Sequence, residues 1–117
     1  MAVKPVAGME FSASDIEQAA CSGRLLSLEL EMTRACNLRC VYCYASAGEA
    51  GPGEMSPAEI SSAVSQAAGL GARKIVILGG GEPYLYDDLH GLIDYIRSLS
   101  LEVELFTNAA LIDRDRA

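Results

Sequence analysis

Residues 74–78 (KIVIL) constrain the fold of this 117-residue chain more than any other segment. The run is apolar, rich in β-branched residues, and shows no alternation of apolar and polar side chains. A strand of this kind is typical of a parallel sheet that is covered on both faces. Because parallel strands need long crossover connections, usually helices, the run predicts an α/β protein.

Two further segments are predicted to be strands beside this one. In residues 25–33 (LLSLELEMT), apolar and polar side chains alternate with a period of two, which indicates a strand with one buried face. Residues 102–107 (EVELFT) form the third predicted strand, and a further element starts near Leu111.

Helices are predicted between these strands. Ser56-Pro57-Ala58-Glu59 combines a capping box with Pro at the first helical position, and Gly69 or Gly71 ends that helix. A second helix is predicted from about residue 88 to 98, with Asp87 as its cap. The order strand, helix, strand, helix, strand predicts right-handed parallel βαβ units.

The domain organisation follows from the size of these repeats. A (β/α) barrel of about 250 residues uses roughly 31 residues per repeat, so the chain contains little more than three repeats. A three-stranded parallel sheet would leave two bare edges. We therefore expect the N-terminal part of a larger enzyme, with an extension over residues 1–23 and the core domain over residues 24–117. Within the extension, Ser14 to Glu17 matches a capping box, which predicts a short helix at residues 15–22 that stops at Gly23.

Composition excludes several classes of partner. The formal net charge of −7 argues against binding to a nucleic-acid backbone or to an anionic membrane surface. No apolar run is long enough to cross a bilayer, and the N-terminal residues lack the apolar block of a secretion signal. We expect a cytoplasmic protein, without nucleic-acid or membrane partners.

Three of the four cysteines lie within residues 36–43 (CNLRCVYC), a density that favours metal ligands. Two other interpretations are buried thiols without metal and a structural zinc site, which usually needs a fourth protein ligand. The candidates for that ligand are Cys21, expected at the opposite end of the strand, and His90, expected on the surface. Three thiolates would instead leave one iron of a [4Fe–4S] cluster free to bind another ligand, an arrangement that suits catalysis.

Residues close to the cysteines allow two interpretations each. Arg34 and Arg39 would lower the thiol pKa values and offset the charge of a cluster, or are solvated surface arginines. Tyr42 offers an aromatic face to a ligand, or is a core aromatic residue.

Two other polar segments follow predicted strands. The run Gly79-Gly80-Gly81-Glu82-Pro83 would let a ligand approach the backbone, with Glu82 as a partner for an ammonium group, or is an ordinary turn. Thr107 and Asn108 would bind polar ligand atoms or cap a helix. Because ligands bind at the carboxyl ends of parallel strands, we expect all three segments to meet at one edge of the sheet.

The sequence resembles the radical S-adenosylmethionine (radical SAM) superfamily over roughly residues 24–117. The resemblance rests on the motif Cys36-x-x-x-Cys40-x-Tyr42-Cys43, on Gly-Gly-Glu-Pro at residues 80–83, and on Thr107-Asn108. It implies the N-terminal half of a partial TIM-like (β/α)6 barrel. Family members usually have Gly after Thr-Asn, where this chain has Ala109.

The resemblance also implies cofactors and residue roles. Cys36, Cys40 and Cys43 would hold a [4Fe–4S] cluster whose unique iron takes the amino and carboxylate groups of S-adenosylmethionine. Gly80, Gly81 and Glu82 would bind the methionine amino group of that cosubstrate, and Tyr42 would lie near its adenine. Thr107 and Asn108 would be further cofactor-binding residues. Reductive cleavage would give methionine and a 5′-deoxyadenosyl radical, which abstracts hydrogen from a substrate.

The implied partners are a peptide, cofactor-precursor or other small-molecule substrate and a reductant such as a flavodoxin or ferredoxin. The motifs are most similar to those of peptide maturases, sulfatase-maturing enzymes and cofactor-biosynthesis members. We expect the 117 residues alone to bind S-adenosylmethionine weakly and to turn over no substrate. The alternatives are a non-catalytic metal-binding module, with zinc or as an iron–sulfur electron carrier, and an inactive truncated remnant.

Overall fold

The computed structural model describes residues 11–78 and 80–115, so Gly79 of the glycine run and residues 1–10 lie outside the described residues. The elements follow the order expected from the sequence. They are α1 (Ala13–Ser22), β1 (Ser27–Leu30), α2 (Pro57–Gly69), β2 (Lys74–Ile77), a single 3-10 turn (Pro83–Leu85), α3 (Leu89–Ser98) and β3 (Glu102–Leu105).

The three strands form one parallel sheet in the order β1-β2-β3. Leu30 of β1 pairs with Ile77 of β2, which pairs with Leu105 of β3, so the carboxyl ends of the strands are level. All four residues of β2 are buried, as predicted for a central strand covered on both faces. The predicted α/β class with parallel βα repeats is confirmed.

The hydrophobic core lies between the sheet and helices α2 and α3. Its fully buried side chains include Ile75 and Ile77, which alternate along β2, Ile60 and Val64, which lie four residues apart on α2, and Ile96 of α3. Truncating one of these side chains to Ala would cost about 2–5 kcal/mol. On the opposite face of the sheet, Lys74 of β2 pairs with Glu104 of β3 at 3.0 Å.

Capping residues set where the helices begin, and two of them differ from the sequence expectation. The capping box of Ser56 and Glu59 is present, as predicted. The expected box from Ser14 is wrong, because Ser12 and Asp15 form the box that begins α1. The expected cap Asp87 is also wrong, since the Asp88 carboxylate accepts the N–H of Gly91 at 3.1 Å.

Helix α1 lies at the amino end of the sheet. Asp15 forms an ion pair of 3.3 Å with Arg73, the residue before β2, and the Arg73 guanidinium lies 4.8 Å from the centre of the Phe11 ring. The functional candidates follow the strands at the other end. Within the described residues, no helix is both long enough and apolar enough to span a lipid bilayer.

Candidate functional site

Glu82 is the centre of the hydrogen bonds at the carboxyl ends of β2 and β3. Its side chain is only 2% exposed. One carboxylate oxygen, Oε1, accepts the N–H of Tyr84 at 3.1 Å and the hydroxyl of Thr107. The other, Oε2, accepts the N–H of Asn108 at 2.9 Å. Glu82 therefore ties the end of β3 to the turn that follows β2.

Among the residues that the structure describes, no lysine, arginine or histidine forms a salt bridge with Glu82. Burying a carboxylate costs free energy unless donors or positive charges compensate it. Three donors contact this one, whereas an ionised carboxylate offers about four lone-pair positions. One acceptor position is thus available to a ligand that donates a hydrogen bond, and a cationic ligand would complement the buried charge.

Gly80 and Gly81 lie against the chain's own backbone. Gly80 has a φ of +75°, and a Cβ added there would lie 2.8 Å from the carbonyl oxygen of Thr33. A Cβ at Gly81 would overlap the Ala35 carbonyl group. The Ala35 carbonyl accepts the N–H of Glu82 at 2.8 Å. The absence of side chains at these glycines lets the backbone after β2 pack directly against residues 33–35, which lead to the cysteines. The sequence interpretation did not include this role.

Thr107 and Asn108 connect β3 to both neighbouring segments. Besides their bonds to Glu82, the Asn108 side-chain amide donates to the side-chain oxygen of Asn37 at 2.9 Å. The side-chain oxygens of Thr107 and Asn108 also accept the N–H groups of Ala109 and Ala110. Ala109 has a φ of +63°, which explains why Gly is usual at this position in the family that the sequence resembles. We call Gly80, Gly81, Glu82, Thr107 and Asn108 the glutamate rim.

The cysteines lie on a loop whose two ends are joined. We call residues 34–48 the cysteine loop. The N–H of Gly48 donates to the carbonyl of Arg34, and the N–H of Cys36 donates to the carbonyl of Gly48, both at 2.9 Å. The Arg39 guanidinium donates to the Cys36 carbonyl at 2.7 Å. These bonds fix the base of the loop beside the glutamate rim.

The structure does not gather the three thiols into one metal site. Cys36 and Cys43 are half-buried and Cys40 is exposed; all three are free thiols. Within the described residues, no three His, Cys, Asp or Glu side chains form a group that could hold a metal ion. Cys21 lies on α1 and His90 on α3, and among the described residues neither belongs to a group of side chains that could hold a metal ion.

Cys43 has an environment suited to a thiolate. Hydrogen bonds from backbone N–H groups, first of Ala47 and then of Ala45, lower the pKa of its thiol. Ser46 adds a weaker bond of the same kind. One of the two sequence interpretations assigned this effect to Arg34 and Arg39. In the structure Arg39 donates to the backbone carbonyls of Cys36 and Leu38, and neither arginine is among the causes of the lowered pKa of Cys43.

A cleft of about 400 Å³ separates the cysteine loop from the glutamate rim. Seven of the nine predicted site residues line it: Tyr42, Cys43, Gly80, Gly81, Glu82, Thr107 and Asn108. Tyr42 is 85% exposed, so it is not a core aromatic residue. The adjacent Tyr44 and Phe106 add further aromatic surface. Cys36 and Cys40 do not line this cleft.

Two residues near the cysteine loop were not identified from the sequence. Asn37, inside the cysteine motif, accepts the bond from Asn108 described above. Glu54 accepts the N–H of Arg34 at 2.9 Å and the N–H of Gly51 at 2.8 Å. Glu54 ends a stretch, residues 48–54, that contains three Gly and one Pro and therefore predicts no regular structure. The acidic residue within that stretch is the signal that could have pointed to it.

Comparisons with known proteins agree with the arrangement of these segments. A model of the radical SAM superfamily matches residues 30–117. An Fe-coproporphyrin III synthase from Methanosarcina barkeri is 38% identical over 87 residues, covering 74% of this chain and 22% of that protein. A probable GTP 3′,8-cyclase from Methanothermobacter marburgensis is 34% identical over 90 residues, covering 76% of this chain and 29% of that protein.

A third relative and a solved structure extend this result. The mycofactocin maturase MftC of Mycobacterium ulcerans is 34% identical over 92 residues, covering 79% of this chain and 25% of that protein. The crystal structure of BtrN in complex with AdoMet and 2-DOIA superposes with a TM-score of 0.64 and 25% identity, over 80% of this chain and 40% of that one. The chain therefore spans less than a third of the length of these curated relatives.

Proposed function

Because the chain belongs to the radical SAM superfamily, we propose that it binds a [4Fe–4S] cluster on its cysteine loop and S-adenosylmethionine in the adjacent cleft. One observation carries this proposal. Glu82, a buried carboxylate without a cation among the described residues, lines the cleft next to Cys43. S-adenosylmethionine supplies a positive sulfonium and an amino group, which are the charge and the donor that this environment lacks.

The donor set fits the cluster. Cys36, Cys40 and Cys43 are free thiols on one loop, and soft thiolate ligands are those that iron–sulfur clusters use. The lowered pKa of Cys43 favours its thiolate form. Since the base of the loop is hydrogen-bonded and its thiols are not gathered, we propose that the side chains of the three cysteines turn toward a common centre when iron binds.

The glutamate rim fits the cosubstrate. Glu82 would accept a hydrogen bond from the methionine amino group at its remaining lone-pair position. The exposed ring of Tyr42 would lie against the adenine. Gly80, Gly81, Thr107 and Asn108 line the same cleft and would contact other parts of the ligand.

The chemistry would be divided between cofactor and protein. When bound, the reduced cluster supplies the electron that cleaves S-adenosylmethionine to methionine and a 5′-deoxyadenosyl radical, which abstracts hydrogen from the substrate. The protein's own part is to orient the cosubstrate between loop and rim and to keep water from it. Hydrogen-atom abstraction needs no general base, which agrees with the single histidine of the sequence.

The substrate is proposed at the level of a class. The relatives carry the names of a porphyrin synthase, a nucleotide cyclase and a maturase at similar identity, so kinship alone does not select among them. We propose a peptide or a cofactor precursor as substrate and a flavodoxin or ferredoxin as reductant. Free thiols and a reduced cluster require a reducing compartment, so we place the protein in the cytoplasm. Residues 24–117 are the proposed core domain and residues 1–23 its extension.

The test uses a pair of ligands on the metal-free chain, in which iron cannot bind the amino group. We expect S-adenosylmethionine to bind about tenfold more tightly than its desamino analogue, because the analogue cannot donate to Glu82. The Glu82→Gln variant should discriminate less strongly between the two, because its amide oxygen still accepts a hydrogen bond but carries no negative charge. Ligand-observed NMR titration measures both affinities, and equal binding of the two ligands by the wild-type chain would refute the proposed site.

A further inference from the structure

Glu54 joins two parts of the chain that are distant in sequence. Its Oε2 atom accepts the N–H of Arg34 at 2.9 Å and that of Gly51 at 2.8 Å. Arg34 lies two residues before Cys36, and Gly51 lies just beyond the end of the cysteine loop. A single carboxylate oxygen therefore holds the first residue of the loop against the chain that follows the loop.

The contacts of Glu54 complete a set of bonds at the base of the loop. The carbonyl of Arg34 accepts the N–H of Gly48, and the N–H of Arg34 donates to the Glu54 carboxylate. The next residue, Ala35, contacts Gly81 and accepts the N–H of Glu82. The backbone just before the first cysteine is thus hydrogen-bonded to the end of the loop through Arg34 and to the glutamate rim through Ala35.

Glu54 is the side chain in this set that can be removed without altering the backbone. The bonds at Gly48 join main-chain atoms, and the Arg34 guanidinium adds only a contact of 3.4 Å with the Ser46 carbonyl. Charged acceptors form stronger hydrogen bonds than neutral ones. Glu54 therefore supplies the strongest side-chain link between the two ends of the cysteine loop.

We propose that Glu54 is a positioning residue, which fixes the start of the cysteine loop so that Cys36 is presented on the side of the glutamate rim. It contacts no cosubstrate or metal in this role and acts through the backbone of Arg34. The part of this proposal that concerns the cluster rests on the proposed function, whereas the fixing of the loop does not.

The first arm of the test is hydrogen exchange in the metal-free chain. In the Glu54→Ala variant we expect the amides of Arg34 and Gly51 to exchange at least about tenfold faster, while the amides of β2 keep their rates. The Glu54→Gln variant should fall between the two, because its amide oxygen still accepts hydrogen bonds. The matched control is Glu49→Ala, which removes an exposed glutamate directly after the loop and should change nothing.

The second arm measures how fast iron is lost to a chelator after anaerobic reconstitution. We expect loss to be about tenfold faster in Glu54→Ala than in wild type and Glu49→Ala, with partial rescue in Glu54→Gln. Unchanged exchange at Arg34, or iron loss at the wild-type rate, would overturn the proposal. If the wild-type chain takes up no iron, the proposed function fails, and the exchange arm alone decides whether Glu54 fixes the loop.

Discussion

The glutamate rim and the cysteine loop lie on opposite sides of one cleft, but they differ in how completely the protein alone organises them. The rim is centred on a carboxylate that is 2% exposed and accepts three hydrogen bonds. The loop is fixed only at its base, and its three thiols are not gathered. Backbone and side-chain hydrogen bonds organise the rim, whereas no such bonds bring the three thiols of the loop together among the described residues. The difference indicates that the rim is organised without a ligand, whereas the loop would need the proposed cluster to fix its thiols.

The largest expected effect concerns the loop. Replacing Cys40 with Ala should abolish cluster assembly, because two thiolates cannot hold the cube, and Cys36→Ala and Cys43→Ala should do the same. Cys21→Ala is the matched control and should leave iron uptake unchanged, since Cys21 lies on α1. Iron and sulfide content after anaerobic reconstitution measures this, and full iron content in Cys40→Ala would contradict the assignment.

The rim should be sensitive to an added methyl group. Gly81→Ala would push a Cβ into the Ala35 carbonyl group and should lower the free energy of unfolding by about 1–3 kcal/mol. Gly69→Ala, at the end of α2, meets no atom within 4 Å and should be neutral or slightly stabilising. Urea unfolding of both variants checks this. Equal stability of the two variants would show that the rim is less rigid than its contacts indicate.

A pH series tests the loop without metal. Because backbone N–H groups lower the pKa of Cys43, its thiolate should persist to lower pH in the folded chain than in the chain unfolded in urea. The folded state therefore gains stability from this group above the unfolded pKa and loses it as pH falls through the lowered value. Alkylation of Cys43 by iodoacetamide, followed by peptide mass spectrometry, should show that shift. Identical pH profiles in the two states would contradict it.

The smallest expected effect lies at the end of the rim. Ala109 has a positive φ, where Gly is favoured by about 1 kcal/mol over a residue with a Cβ. Ala109→Gly should therefore raise the thermal midpoint slightly, despite the greater entropy of Gly in the unfolded chain. Ala110→Gly, at the next residue, is the control. A lower midpoint in Ala109→Gly than in wild type would show that this strain is not present.

Much of the fold follows from local sequence pattern. The apolar run at β2 and the Pro57 helix are found where they were predicted, because burial on both faces and capping leave clear signals. Two caps were predicted at the wrong residue, Ser14 in place of Ser12 and Asp87 in place of Asp88. Each pair offers two similar side chains close together, and the sequence does not show which of them accepts the backbone N–H. The family assignment is confirmed by the match of the radical SAM superfamily model to residues 30–117. It was predictable because the order of the three motifs along the chain is itself specific.

The interior of the site was less accessible to prediction. Parallel topology predicts that the strand ends meet, but the contact of Glu82 with Thr107 depends on the register of β2 and β3. The contact of Glu54 with Arg34 joins residues 20 positions apart through an irregular loop, which has no periodicity to read. The roles of individual site residues therefore stay predictions.

Anaerobic reconstitution of the chain with iron and sulfide, followed by electron paramagnetic resonance of the reduced protein, tests the central claim most directly. The account predicts about four irons per chain and a change in the spectrum when S-adenosylmethionine is added. Stoichiometric zinc in place of iron, or a cluster whose spectrum does not respond to S-adenosylmethionine, would contradict it.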